Sequence, residues 1–385
     1  GLLLLGPYLW MVRTSVENWS PNLLNEALAA FDQNDLRILK NTFTAFGVGW
    51  YGAGLATSVA ASRVIYGLRE QVREVKALGQ YQLDEKLGEG GMGIVYRAHH
   101  SLLQRPTAVK LLPPDRIGEK SLERFEREVR QTARLSHPNT ITIFDYGHTP
   151  EGIFYYAMEL LDGVTLDRVV ESTGRLPAAR VIHILRQAAG SLAEAHAMGL
   201  VHRDVKPENI MLCEQGGIPD TVKVLDFGLV KEVTRGGDAK LTGTNVVMGT
   251  PQYMAPEAIA DPDTVDARAD LYALAAAGYY LLTGRELFQA SSIIEMCSHH
   301  LRTPPTPPSQ LVDGVPRDLE AVLLRCLAKK ADDRPQNGRE LATMLAECRD
   351  AGSWSEQDAR AWWEQYGHEL ARPGGISATA PTMLA

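Results

Sequence analysis

His202-Arg203-Asp204-Val205-Lys206-Pro207-Glu208-Asn209 is followed, seventeen residues after Asn209, by Asp226-Phe227-Gly228. Asp204 stands five residues before Asn209, and the next strand and turn bring a second carboxylate, Asp226, within reach. Phosphoryl transfer needs such a set. One group must orient a hydroxyl and accept its proton, and two oxygen ligands must hold Mg²⁺ on the nucleotide phosphates. Each piece alone reads equally as a charged surface loop. Their order, and what lies upstream, favours the chemical reading.

Upstream, Leu87-Gly88-Glu89-Gly90-Gly91-Met92-Gly93-Ile94-Val95 carries G-x-G-x-x-G at Gly88, Gly90 and Gly93. In dinucleotide folds the last glycine opens a helix. Here Ile94-Val95-Tyr96 is β-branched and aromatic, so the glycines belong to a hairpin turn between strands. Thr107-Ala108-Val109-Lys110-Leu111-Leu112 reads as a further strand with an interior lysine, costly unless paired. The next helix offers a partner. Leu122, Phe125, Val129 and Ala133 form its inward stripe, which places Glu128 inward and Glu126 outward. A Lys110–Glu128 pair is expected.

Taken together, these stretches resemble the protein-kinase family, from Tyr81 to Cys348, and most of all the bacterial eukaryotic-like Ser/Thr kinases. The resemblance implies an α+β, bilobal fold: a β-rich N-lobe over 81–158, a hinge over 159–163 and a mainly helical C-lobe over 164–348. It implies ATP with Mg²⁺, for which Mn²⁺ can substitute. Leu87, Gly88, Glu89, Gly90, Gly91, Met92 and Gly93 would cover the nucleotide. Val95 and Ala108 above and Met211 below would sandwich the base. Met158 would guard the pocket behind it, with backbone groups of Glu159 and Leu161 bonding its edge. Lys110 and Glu128 would position the α/β-phosphates.

In the C-lobe the resemblance makes Asp204 the base and Lys206 the cation at the γ-phosphate, with Asn209 and Asp226 as metal ligands. Lys206, two residues after the base, and Thr250 follow the Ser/Thr-kinase pattern, Thr250 contacting the catalytic Asp beside the substrate. Arg203 would meet an anion, supplied by phosphorylation of Thr242 or Thr244. Glu257, in Ala255-Pro256-Glu257, would pair with Arg334, and Asp270 would tie down the catalytic loop. The implied activity is transfer of the ATP γ-phosphate to protein Ser/Thr hydroxyls in bacterial signal transduction, with trans-autophosphorylation in a homodimer. The rival is a pseudokinase or nucleotide-binding scaffold. Such chains usually lack the lysine, the base or the metal Asp, and here all three are present.

The flanks differ in composition. Residues 41–62 carry no charge, and Arg63, Arg69, Arg73 and Lys76 follow. That length spans a bilayer as a helix, with the basic flank on the cytoplasmic side. The expectation is a membrane-proximal or extracytoplasmic stretch over 1–40, a transmembrane helix over 41–66 and a juxtamembrane linker over 67–80. Gly1 and its leucine run read as the interior of a longer chain. The implied location is the inner membrane, single- or multi-pass, with the kinase domain cytoplasmic. A C-terminal helix is expected over 349–371, its Trp354, Trp362 and Trp363 packing on the C-lobe, then a disordered tail over 372–385. A net charge of −8 argues against nonspecific nucleic-acid binding. Four scattered cysteines without a C-x-x-C pair read as small buried hydrophobes.

Overall fold

Period-two burial builds the first half of the domain. The computed structural model describes residues 77–90, 93–112, 119–149, 152–227, 250–367 and 370–371. Strands β1 (Ala77–Leu78), β2 (Tyr81–Gly90), β3 (Gly93–His100), β4 (Pro106–Leu112), β5 (Ile143–His148) and β6 (Phe154–Glu159) form one sheet in the order β1-β2-β3-β4-β6-β5. Successive side chains point to opposite faces. Val109 therefore packs with Tyr81, Leu83, Ala98 and Ala157 on one face. Ala108 packs with Ile141, Phe154, Tyr156 and Met158 on the other. Helix α1 (Glu119–Thr132) adds its fully buried Val129 to this second face. Gly93 has a packing reason beyond the turn: a Cβ there would strike the Leu111 carbonyl of the neighbouring strand.

The second half is mainly helical. A short sheet of β7 (Gly163–Thr165), β8 (Ile210–Gln215) and β9 (Ile218–Val224) lies among α2 (Leu166–Thr173), α3 (Ala178–Ala197), α4 (Pro256–Ala260), α5 (Ala267–Thr283), α6 (Ile293–Arg302), α7 (Arg317–Cys326) and α8 (Gly338–Ala346). Helix α5 is apolar all round, and such a helix can only lie inside. Leu271, Tyr272, Leu274 and Leu281 are fully buried on it. The Asp266 side chain caps its start, and Gly284, at φ 69°, ends it in the left-handed conformation. The four cysteines are free and buried. Burial pushes the Cys213 and Cys326 thiols up to about 12 and Cys348 to about 11.

At the C-terminus the helix is shorter than the expected 349–371. A turn with Gly352 at φ 80° precedes Ser355, which starts α9 (Glu356–Trp362) through a reciprocal capping box with Asp358. A π-helical turn, Trp363–Gly367, follows. The tryptophans set this geometry. The indoles of Trp354 and Trp363 both donate to the Asp220 carboxylate, at 2.8 and 2.9 Å. Arg180 of α3 grips the same carboxylate in two bonds of 2.8 Å and lies against the Trp362 ring at 3.9 Å. Among the described residues no helix is long and apolar enough to cross a membrane. The expected spans over 1–76 and the tail over 372–385 lie outside the described residues.

Candidate active site

Strand register carries the first catalytic candidate into the cleft. Val95, Lys110 and Tyr156 are cross-strand neighbours on β3, β4 and β6, and so share one face. From that face Lys110 Nζ reaches Asp226 Oδ2 at 2.6 Å, and the Tyr156 hydroxyl donates to Asp226 Oδ1 at 2.8 Å. Burial alone would raise the Asp226 pKa. The Lys110 charge and the two hydrogen bonds outweigh it and hold the carboxyl below its usual range. Burial, reinforced by Asp226, pushes Tyr156 well above its usual range. Asp226 sits at φ 48°, a left-handed conformation rare for a residue with a side chain. Such strain persists where the surroundings impose it, often at functional sites.

The catalytic loop meets this group from below. Asn209 Nδ2 donates to the Asp204 carbonyl at 2.8 Å and to Asp204 Oδ2 at 3.0 Å. Lys206 Nζ lies 3.3 Å from the same Oδ2 and donates to Thr250 Oγ1 at 2.9 Å. Both contacts fall on Oδ2. Asn209 uses its amide hydrogens on Asp204, so its oxygen remains to act as a ligand. An amide oxygen beside a carboxylate suits a hard cation such as Mg²⁺, which binds few protein groups and completes its shell with phosphate and water. Among the described residues no group of three or more His, Cys, Asp or Glu is placed to hold a metal unaided.

Buried anchors fix the loop. Asp270, at the start of α5, accepts from the backbone N–H of His202 at 2.7 Å and of Arg203 at 2.8 Å, and lies 2.9 Å from His196 Nε2. Burial would raise its pKa, but these hydrogen bonds and the neighbouring histidines lower it. Arg203 takes the left-handed conformation at φ 65°. The His202 ring lies 4.6 Å from that of Phe227, and its Nε2 meets the Leu225 carbonyl at 2.7 Å. Deeper in the lobe, Arg334 holds Glu257 in two bonds of 2.6 and 2.8 Å.

The domain that carries this site is matched in known proteins. Residues 81–347 fit the family described as the protein kinase domain. The chain belongs to that family. This kinase domain is similar to serine/threonine-protein kinase pkn3 of Myxococcus xanthus, at 38% identity over 69% of the chain and 49% of the relative. It is 40% identical to serine/threonine-protein kinase PknB of Mycobacterium tuberculosis, over 69% of the chain and 42% of the relative. The chain thus spans half or less of the length of these relatives. The crystal structure of the Mycobacterium tuberculosis PknI kinase domain superposes with a TM-score of 0.55 at 30% identity, covering 70% of this chain and 96% of that one.

Sequence reading named the residues but not all of their contacts. Lys110 meets Asp226 at 2.6 Å, a residue that the resemblance makes a metal ligand. Glu128 lies on α1 next to buried Val129, with a carboxyl oxygen shut away from solvent. Thr250, expected on the catalytic Asp, instead meets Lys206, which joins it to Asp204. At the hinge the Glu159 N–H goes to the Thr142 carbonyl at 2.9 Å, so a base could use only the Glu159 carbonyl or the Leu161 backbone. Ala108 and Met158 lie in the core, with Leu87, Val95 and Leu161 packed against it. Met211 stands on β8 opposite Thr165. Gly88 and Glu89 pair with Val95 and Ile94, and Gly90 ends β2. Gly91, Met92, Thr242 and Thr244 lie outside the described residues. Tyr156 was missed. Its parity with Met158 on β6 was the available signal, because both point to the cleft face.

Proposed function

We propose that this chain is an ATP-dependent protein-serine/threonine kinase with Mg²⁺ as the preferred ion. One observation carries the reading: Lys110 meets Asp226 at 2.6 Å, and Asn209, Asp204, Lys206 and Thr250 form a second chain of contacts of 2.8–3.3 Å. The Leu225 N–H donates to the Asn209 carbonyl at 2.9 Å, which brings the residue before Asp226 beside Asn209. Bound ATP supplies the transferable phosphoryl group. Asp204 Oδ1 orients a substrate Ser or Thr hydroxyl and takes its proton. Lys206 places positive charge between that hydroxyl and Thr250, which forms the edge of the substrate ledge. Lys110, with Glu128 as its expected second carboxylate, fixes phosphate oxygens. Asp226 and the Asn209 oxygen would hold the divalent ion.

The deciding experiment is mass spectrometry of the full chain after incubation with Mg·ATP, beside an Asp204→Asn control. Phosphate should appear in the first and not in the second. Equal incorporation in both would sink the reading. Thr242 and Thr244 are the proposed activating phosphosites, answered by Arg203 and filled in trans by a second copy. A Thr242→Ala/Thr244→Ala chain with full activity would reject that part. We further propose that residues 41–66 anchor the chain in the inner membrane, with the kinase domain cytoplasmic. The uncharged stretch and its basic flank support this.

A further inference from the structure

A buried lysine stands where the hinge meets the small sheet, and phosphoryl transfer does not itself call for it. Lys223 of β9 is 3% exposed. It lies directly opposite Met211 of β8, so the two side chains share one face of that sheet. Its Nζ donates to Glu159 Oε1 at 2.8 Å, and the Gln215 side-chain amide reaches Glu159 Oε2 at 3.3 Å. The paired side chains are 4% and 13% exposed, so water reaches little of either charge. Burying a cation is costly unless it is paired, and replacing such a pair with apolar residues is often neutral for stability. Stability alone is therefore a poor reason for Lys223.

Its partner is the first hinge residue. Glu159 ends β6, and its N–H donates to the Thr142 carbonyl at 2.9 Å. The Thr142 N–H donates back to Glu159 Oε1 at 2.8 Å. One carboxylate oxygen thus takes a donor from the segment leading into β5 and another from β9. That segment is itself tied to β9: Thr140 bridges to Val224, and the Ile141 N–H donates to the Val224 carbonyl at 3.0 Å. Glu159 is held at its backbone and at its side chain by one frame. With its N–H already used, it can offer a base only an acceptor, its carbonyl. The matching donor on the edge of adenine is the exocyclic amine.

We propose that Lys223 is a positioning residue for adenine: by fixing the Glu159 carboxylate it holds the Glu159 carbonyl where it accepts the exocyclic amine of the base. Lys223 then acts on nucleotide choice and leaves the transfer step alone. This inference rests on the kinase reading above.

The test uses the full chain, myelin basic protein as acceptor and two phosphate donors, ATP and purine riboside triphosphate, which lacks only the exocyclic amine. The wild-type KM for ATP should lie about three- to tenfold below that for the analogue, the worth of one hydrogen bond. Lys223→Met should bring the two values within about twofold of each other by raising that for ATP. Its kcat, and its KM for the acceptor, should stay within about twofold of wild type. A merely structural lesion would raise both nucleotide KM values together and keep their ratio. Lys223→Met strands the Glu159 carboxylate. Should that chain fail to fold, Lys223→Met/Glu159→Met, which removes both charges, should show the same lost preference. An unchanged ratio in the folded variant, or a wild-type chain that does not distinguish the two donors, would overturn the proposal and leave the kinase reading intact. Failure of both variants to fold would make the pair a folding element and overturn it as well. A wild-type chain that transfers phosphate from neither donor, to itself or to the acceptor, removes the kinase reading and this proposal with it.

Discussion

Lys110 shows how one side chain can serve both packing and chemistry. Its stem lies in the cleft-facing layer of the sheet while its ammonium neutralises Asp226. Replacing it with methionine keeps the length and apolar bulk but leaves the carboxylate with Tyr156 alone. Lys110→Met should lower phosphotransfer by about a hundredfold or more, as loss of a preorganised electrostatic contact does. The cost in folding should be smaller, about 1–3 kcal/mol, because Asp226 keeps one hydrogen bond and is 26% exposed. Radiolabelled phosphate transfer and a thermal melt would check both, and near-normal transfer would reduce Lys110 to a core lysine. The residue identities were legible because phosphoryl transfer demands particular groups at particular spacings. Their contacts were less so. That Lys110 meets Asp226 depends on how the two lobes close, and no local spacing encodes that.

At the scale of elements, composition placed the strands that flank the glycine turn and the central helix. Helix α5 was evident from its uniform apolarity, and the glycine turn from the β-branched residues after it. The C-terminal segment was harder. Its three tryptophans pointed to packing, but the order Trp354, capped helix and π-helical turn follows from Asp220, more than a hundred residues earlier in the chain. Asp220 itself takes a left-handed φ of 55°, which turns its carboxylate toward both indoles and Arg180. Asp220→Ala should therefore cost about 3–5 kcal/mol, since Arg180 would remain buried without its anion. Trp363→Phe should cost less, about 1–2 kcal/mol, for one hydrogen bond lost with the bulk kept. Denaturant midpoints give both values. An Asp220→Ala chain as stable as wild type would mean that the segment rests on the lobe without holding it.

For the whole molecule, acid should act before the carboxylates titrate. Burial first, and the Lys329 charge second, push the pKa of His300 down to about 4 from 6.5. Between those values an unfolded chain binds a proton that the folded chain refuses. Stability from neutral His300 is thus complete above about pH 6.5 and lost as pH falls toward 4, by about 3 kcal/mol at the lower end. His137 and His183, also lowered chiefly by burial, act in the same sense. The melting temperature should fall between pH 7.5 and 5, and His300→Asn should flatten that slope. An unchanged slope would clear His300 of the effect. If residues 41–66 anchor the chain, it should pellet with membranes and resist salt and alkali, while a chain begun at Gly79 stays in the supernatant. A full chain that is monodisperse without detergent would contradict the anchor. The four buried sulfurs have a use of their own. Their thiolate forms are suppressed at neutral pH, so alkylating reagents meet almost nothing to attack until a lobe opens. Cys213 lies in the small sheet next to the hinge, and Cys326 and Cys348 among the last helices. The rate at which each takes up a label then reports how often that region opens, and the protein carries its own clocks for local unfolding.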